Sequence, residues 1–490
     1  MKKLLLTLFA NFGIISMLVA QGYTTPDTGV TYSLDDLVAL SPSTLSVSDG
    51  VYTLTDDLSI AASDALLIAS DATIEIGADV LISVSGNFTV SADNVVFTAI
   101  DPAMPYEGFR FEQLSVITIS NATIQYGGGL RVLTETFSID NCLITNNVSG
   151  AATGGVIALS RGQAQITNNT ITFNDTPAIS SGANSDVSPY IFNNYIEGNN
   201  QTNNNRPQIN LGTTLASSPL QIIQNTIIGD RALDQVGAIA VSNFFGATIN
   251  AIIDDNIINN NRYGISILGG NSFAYIRNNI IEDNDTQGSP NLGGSGISLN
   301  SPSATMNVIA SGNEIRRNLW GITVIDEASI NLGDGVDNVG QNVFSENGNG
   351  GTTYALYNNT GNALMAMNNC WDEENTPNTL ADAEAVIVHA NDISTLGLVT
   401  FDPVNCGFLS VDDVAAQTLQ VFPNPATDVL NIAGNTTFNV MHIYTIDGKL
   451  ITKRKLQVGD QTVALQLQTG VYILEFKGGT TKMTQKLVIQ

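Results

Sequence analysis

Two carboxylate clusters stand out in a sequence otherwise sparing with charge: Asp254-Asp255, and Glu282-Asp283-Asn284-Asp285 a little further on. A pair of Asp or Glu residues suffices for the acid and base of glycoside hydrolysis, and clustered carboxylates can hold Ca²⁺. Arg277 falls at the position in its sequence repeat that Asp254 occupies in the preceding one, and Arg262 and Arg316-Arg317 lie close by in the chain. Asp254, Arg277 and Asp255 are therefore candidate catalytic residues, with Asp283 and Asp285 as candidate Ca²⁺ ligands. The competing reading is a solvated face of turn acids and ion pairs, because 41 acids over residues 21–417 create such clusters by chance. The same holds for Asp334-Gly-Val-Asp337 and Asp372-Glu-Glu-Asn375, neither of which has EF-hand spacing. The two histidines, His389 and His442, lie beyond the central repeats, which excludes a Ser-His-Asp triad or a His-rich zinc site there. His389 reads as a partly buried edge residue. No lysine occurs between Lys3 and Lys449, so a Schiff-base mechanism has no nucleophile in that span.

The elements that would position these side chains repeat. An aliphatic residue, two variable positions, Asn, one variable position and Ile recur as Ile166–Ile171, Ile191–Ile196, Ile222–Ile227, Ile253–Ile258 and Ile276–Ile281. Weaker copies start at Ile139, Ala310 and Val339, and Cys142 takes the Asn position of the first. A period of roughly 20–35 residues is that of a solenoid. Helix-forming runs are absent, and short Ile/Val/Thr segments broken by Asn and Gly fit a parallel β-helix. Inward Ile residues would stack into one core. The Asn fits the turn, where it tolerates a left-handed backbone and its amide can ladder between coils. Residues 51–130 read as the first coils, and 21–50 as a cap over the open end. The longest intervals between repeats fall near residues 200–215, 230–250 and 286–308, as loops leaving a constant coil.

Composition narrows the function classes. The 490 residues carry a net charge of −27 with only 13% charged residues and 43% hydrophobic ones. An acidic surface argues against nucleic acid and repels a polyanion unless Ca²⁺ bridges it. Residues 21–417 hold nine Arg and no Lys, whereas 418–490 hold seven basic and four acidic residues, a shift that marks a second module. Lys2-Lys3 followed by the apolar stretch Leu4–Val19 reads as a secretory signal over residues 1–20, and no later segment is apolar for long enough to be a transmembrane helix. In an exported chain three cysteines leave at least one unpaired. Cys370 and Cys406, which flank the last coil, are the expected pair, with Cys142 an enclosed free thiol.

Residues 50–405, on their Asn-x-Ile repeats and on the tail Asn368-Asn-Cys-Trp371 with Gly397–Pro403, resemble the right-handed parallel β-helix repeat proteins of pectate-lyase-like architecture. The resemblance implies an all-β right-handed parallel β-helix over 51–405. It leaves activity open, since this scaffold hosts lyases, hydrolases, adhesins and inert surface proteins. Lyases of this architecture combine Ca²⁺-binding Asp with a proton-abstracting Arg, the role that would fall to Arg277. The Gly-His-Gly element of the polygalacturonase-type hydrolases is absent. Exposed aromatics such as Tyr126, Tyr190, Phe244-Phe245 and Trp320 could stack on sugar rings.

The C-terminal residues 418–490, joined by a linker over 406–417, alternate apolar and polar residues between turn signals, as expected of a small β-sandwich with seven strands. Val421-Phe-Pro423-Asn424-Pro425, Ile443–Lys449 with Gly448-Lys449, Gly470-Val-Tyr472 and Lys486–Ile489 resemble the type A sorting domain of the type IX secretion system. That implies the type IX machinery as a partner, export across the outer membrane, and removal of the domain with surface attachment or release. The expectation is thus an exported β-helix protein acting by binding or structure toward glycans. The alternative is a Ca²⁺-dependent polysaccharide lyase or glycoside hydrolase.

Overall fold

The computed structural model describes residues 22–409, 419–435, 438–445, 449–459, 461–478 and 481–490. The expected leader over 1–20, residues 410–417 of the expected linker and Gly448 of the sorting motif lie outside the described residues. The chain divides after Cys406 into two compact units.

The first unit is a parallel β-helix. Successive coils contribute strands to three sheets, parallel but for the hairpin that starts the third; among the described residues they hold 14, 14 and 13 strands and are called here the first, second and third sheet in the order the chain visits them. Register stacks the repeat as its period demands. Ile139, Ile166, Ile191, Ile222, Ile253 and Ile276 form one inward column on the second sheet. Ile144, Ile171, Ile196, Ile227, Ile258 and Ile281 form another on the third. All twelve are fully buried, each contributing on the order of 1.5–3 kcal/mol by leaving water.

Between the second and third sheets the chain turns in two residues, and here one expectation is corrected. The repeat Asn does not take the left-handed conformation. The residue before it does: Asn168, Asn193, Gln224, Asp255 and Asn278 have φ between 54° and 59°. That bend turns the following Asn inward, where its side chain would be ruinous unless fully hydrogen-bonded. Asn169, Asn194, Asn225, Asn256, Asn279, Asn313, Asn342 and Asn369 satisfy each other. In each link one Nδ2 donates to the Oδ1 of the next coil at 2.9–3.0 Å. Each Nδ2 also donates to a backbone carbonyl of the coil before, as Asn225 does to Ile191 at 2.9 Å.

A second ladder, invisible to the Asn-x-Ile pattern, lines the corner from the third sheet to the first. It runs Asn147, Asn174, Asn199 and then, beyond a gap, Asn261, Asn284, Asn318 and Asn347. Gly229-Asp230 stands where the missing rung belongs. Gln208, wholly buried, fills it from the adjoining loop, accepting from Asn199 at 3.1 Å and donating to Asn261 at 3.0 Å.

Both ends of the coil stack are closed. Residues 21–50 do more than cap, since Tyr23–Thr24 and Thr31–Tyr32 already pair into the first and second sheets. Helix Leu34–Leu40 and the hairpin Leu45–Ser48/Val51–Leu54 then cover the core. Asp64, almost fully buried, pins this segment by accepting from the backbone N–H groups of Asp27, Thr28, Gly29 and Val30. At the far end Trp371 stacks on Phe344 at 4.8 Å, helix Leu380–Val386 buries Ala383 and Val386 in the same core, and Cys370 and Cys406 form a disulfide.

The second unit is antiparallel. Gln420–Phe422, Val429–Ala433 and Gln461–Ala464 form one sheet, and Leu450–Lys455, Val440–Thr445, Gly470–Gly478 and Thr481–Ile489 the other. Both sheets contribute to one core, with Leu430, Ile432, Met441, Leu474 and Phe476 buried. The all-β reading of both units holds, including seven strands here. The strand the alternation hid is Leu450–Lys455, whose three basic residues are all exposed. No helix among the described residues is long and apolar enough to cross a membrane.

Candidate functional site

The carboxylate–arginine set is not assembled as expected. Asp254 and Arg277 do occupy the same register position on neighbouring coils, but they neutralise one another at 2.7 Å. Arg277 also lies over Tyr275, 5.2 Å from the ring centre, and Asp254 accepts from Asn278 as well. Asp255 points instead to Gln224, Asp283 to Arg317, and Asp285 to Arg231. Among the described residues no three His, Cys, Asp or Glu side chains converge on one point. The reason is spacing: coils about 4.8 Å apart place outward side chains within reach of their neighbours, so Asp254, Asp283 and Asp285 are taken up by arginines and Asp255 by Gln224. The loops expected to wall a groove around them lie elsewhere. Asp254 and Arg277 end second-sheet strands at the Asn-ladder corner, whereas loops 229–238 and 283–294 border the first sheet.

The other charged candidates are structural as well. Arg316 bridges Glu314 and Glu373, and Arg262 donates to the Leu292 carbonyl and to Asn205. Asp334 accepts from the backbone of Val336, Asp337 and Asn338, and this hydrogen bonding holds its carboxyl well below the usual range. His389 follows Ile387–Val388, an edge strand of the first sheet, and is fully rather than partly buried, its Nδ1 accepting from the Val399 backbone at 3.0 Å and its Nε2 beside Glu384. Cys142 is a free, buried thiol pushed up to about 12 by burial.

Concave surface occurs instead on the outer face of the first sheet. Alternation there turns Arg131, Ala158, Ser180, Asn210, Ala240, Ser266, Ser298, Thr323 and Tyr357 outward in a single registered row. Nine strands at this spacing extend roughly 38 Å. The row is walled on one side by loops arriving from the third sheet and on the other by loops leaving for the second. Two recesses occupy consecutive stretches of it.

The first recess, about 460 Å³, is floored by Ala158, Ser180 and Asn210 and bordered by Ser160, Ser181, Ser185, Arg131, Arg206 and Phe244. Phe244, 62% exposed, stands on a loop that Gly246 turns with φ 79°. The second, about 470 Å³, lies over Ser266, Ser298 and Thr323. Its wall is aromatic: Trp320 packs on Tyr354 at 4.6 Å and nearly parallel to Tyr357 at 5.4 Å. Trp320 Nε1 donates to the Pro290 carbonyl at 2.9 Å, which fixes the ring against loop 283–294. Tyr263 forms part of the floor, packed so closely on Gly237 that a Cβ there would sit 2.2 Å from its ring, and burial pushes its phenol up to about 12. Neither recess is lined by Asp, Glu or His.

Of the aromatics singled out in the sequence, Phe244 and Trp320 line the recesses. Tyr126 packs against the core, and Tyr190 stacks on Phe192 on the second sheet. The flooring residues carried no sequence signal, being single small residues some 20–35 positions apart.

In the second unit Asn424, between Pro423 and Pro425, ties its side chain to the backbone of the last strand. Its Nδ2 donates to the Lys486 carbonyl at 2.7 Å and its Oδ1 accepts from the Val488 N–H at 2.9 Å. Gly470 opens the strand that carries Tyr472, whose buried ring sends its hydroxyl to the Gln468 carbonyl at 2.9 Å. The Lys449 N–H donates to Thr445 Oγ1 at 3.2 Å. The sorting motifs thus meet on the last strand and its neighbour.

Comparison with known families agrees with this division. Residues 134–334 match the family described as right handed beta helix region, and residues 420–490 match the secretion system C-terminal sorting domain. No curated protein and no solved structure matches the chain.

Proposed function

Starting from a right-handed β-helix protein that carries a type IX C-terminal sorting domain and is thereby secreted, we propose that it acts at the cell surface or in the medium by binding an extended glycan along the outer face of its first sheet. The leader and the sorting domain are removed on the way, after the sorting domain has engaged the type IX machinery. The observation that carries the reading is the pair of recesses along one registered row, hydroxyl- and amide-lined along the floor and aromatic at Trp320 and Tyr357, with Tyr354 packed on Trp320. Sugar rings present apolar C–H faces and a rim of hydroxyls, and a rigid aromatic shelf beside Ser, Thr and Asn side chains answers both. A lining without carboxylate or imidazole supports retention rather than cleavage.

Affinity electrophoresis against a panel of immobilised polysaccharides tests this. At least one polymer should retard the protein, and Trp320→Ala should weaken that retardation by about tenfold, the scale of one stacked ring. A panel that retards neither protein, or retards both equally, refutes the reading.

A further inference from the structure

The nine arginines of the β-helix unit are not distributed alike. Arg110, Arg231, Arg277, Arg316 and Arg317 each pair with a carboxylate. With 41 acids available over residues 21–417, pairing is the expected state of a cation in this chain. Four depart from it. Arg262 donates instead to the Leu292 carbonyl and Asn205, and Arg161, whose buried Nε has no partner, lines neither recess; the other two are Arg131 and Arg206. Both border the first recess, one from the strand Leu130–Val132 and the other from loop 198–208, and no acid lines that recess. Neither guanidinium meets a carboxylate among the described residues. Arg131 also stands in direct register with Arg110 on the neighbouring strand, a like-charge juxtaposition that disfavours the sheet unless something compensates it. Arg110 is compensated by Glu112, whereas Arg131 is left facing the recess.

We infer that the Arg131–Arg206 recess receives an anionic substituent, a carboxylate or a sulfate ester, of the glycan that the trough holds. The inference rests on the proposed glycan reading and adds the charge of the ligand to it. Guanidinium presents a planar fork of donors matched to the paired oxygens of either group. The hydroxyls of Ser160, Ser180 and Ser185 can donate to the remaining oxygens. A local positive potential inside an otherwise acidic surface also sorts ligands. A uniformly dense polyanion is repelled by the surrounding acids, whereas a polymer with spaced charges can seat one at the recess and lay neutral rings toward Trp320.

Dextran, carboxymethyl-dextran and dextran sulfate, each lightly substituted where charged, share one backbone and separate the two anion sources from the neutral chain. Isothermal titration with the purified protein should show at least one charged polymer binding about tenfold or more tighter than dextran, with the difference shrinking as salt is added. Preference for the carboxymethyl polymer identifies a carboxylate, and preference for the sulfated one a sulfate. The double variant Arg131→Gln/Arg206→Gln should lose the preference. Arg317→Gln, which removes a cation paired with Glu282 and Asp283 beside the third sheet, should keep it. The thermal midpoint of each variant reports folding independently. Equal binding of all three polymers, or a preference that survives the double variant, overturns the inference. So does a preference that Arg317→Gln lowers as much as the double variant does. Should a neutral glycan bind through Trp320 while the double variant changes nothing, the glycan reading stands and the anion site alone fails.

Discussion

Replacing Asn225 with alanine is the sharpest test of what holds the coils in register. The Asn225 side chain is 1% exposed and sits mid-ladder. Its Oδ1 accepts from the Asn194 backbone N–H at 3.0 Å and from Asn194 Nδ2 at 2.9 Å. Its Nδ2 donates to the Ile191 carbonyl at 2.9 Å and to Asn256 Oδ1 at 3.0 Å. Alanine orphans two buried donors and takes the amide away from two carbonyls, Ile191 and Ile223, while Asn256 Oδ1 keeps the backbone N–H of residue 225 at 2.9 Å. At roughly 1–3 kcal/mol per buried orphan, with some recovery by relaxation or an entering water, the loss should be about 3–5 kcal/mol. Two substitutions calibrate it. Gln224→Gly, one residue earlier at φ 57°, relieves a left-handed strain of about 1 kcal/mol and should offset the loss of a surface contact to Asp255. Cys142→Asn extends the ladder by a rung, since the backbone N–H of residue 142 already donates to Asn169 Oδ1 at 3.0 Å, and should stabilise by about 1 kcal/mol. Urea unfolding followed by circular dichroism measures all three, with equal slopes required because solenoids can lose all-or-none behaviour. A cost below about 1 kcal/mol for Asn225→Ala, or a larger cost for Gln224→Gly, would refute the claim that the amide ladder, rather than the Ile columns alone, fixes the stack.

Two further outcomes follow from the ends of the chain. Burial acting alone would raise the Asp64 carboxyl, but hydrogen bonds from Thr25, Val30, Asp27 and Thr28 outweigh it and hold the group at about 2 against an ordinary 3.8. A depressed carboxylate contributes stability above its unfolded value and loses it as pH falls toward the folded one. Amides 27–30 should therefore lose hydrogen-exchange protection as pH drops from about 4 to about 2. Asp64→Asn should already be unprotected at neutral pH, and a protection profile that is flat in acid contradicts this. Deleting residues 418–490 should leave the β-helix in the periplasm of its native host, read by fractionation and immunoblotting, and a truncated chain that still reaches the surface or medium removes the sorting domain from the export argument.

The fold was legible because its determinants are inward and periodic. An Ile column needs the same residue type at each coil, so a pattern such as Ile222-Ile-Gln-Asn-Thr-Ile227 announces both the strand pair and the turn between them. The same pattern misassigned the bend, because Asn is the usual left-handed residue and the eye gives it that role. The structure gives it to whichever residue precedes the Asn, even Gln224 or Asp255. The second ladder stayed hidden for a related reason. Variable loops follow it directly, so its rungs are not flanked by constant positions, and one rung is a glutamine borrowed from a loop.

The trough could not be read in the same way, and the failure of Asp254 and Arg277 shows why. Register reasoning put those two side chains on adjacent coils, and they are there. But a solenoid brings every outward residue beside its equivalents, so adjacency is the default condition of its surface and carries no functional information. Opposite charges so placed end as ion pairs worth at most about 1 kcal/mol. What separates a site from the rest of such a surface is a departure from that default, either a wall raised by a loop or a charge left uncancelled. Trp320 against loop 283–294 is the first kind, and Arg131 beside Arg110 with no acid facing it is the second. Both depend on loops whose lengths vary from coil to coil, which is the part of the sequence that the repeat leaves unconstrained.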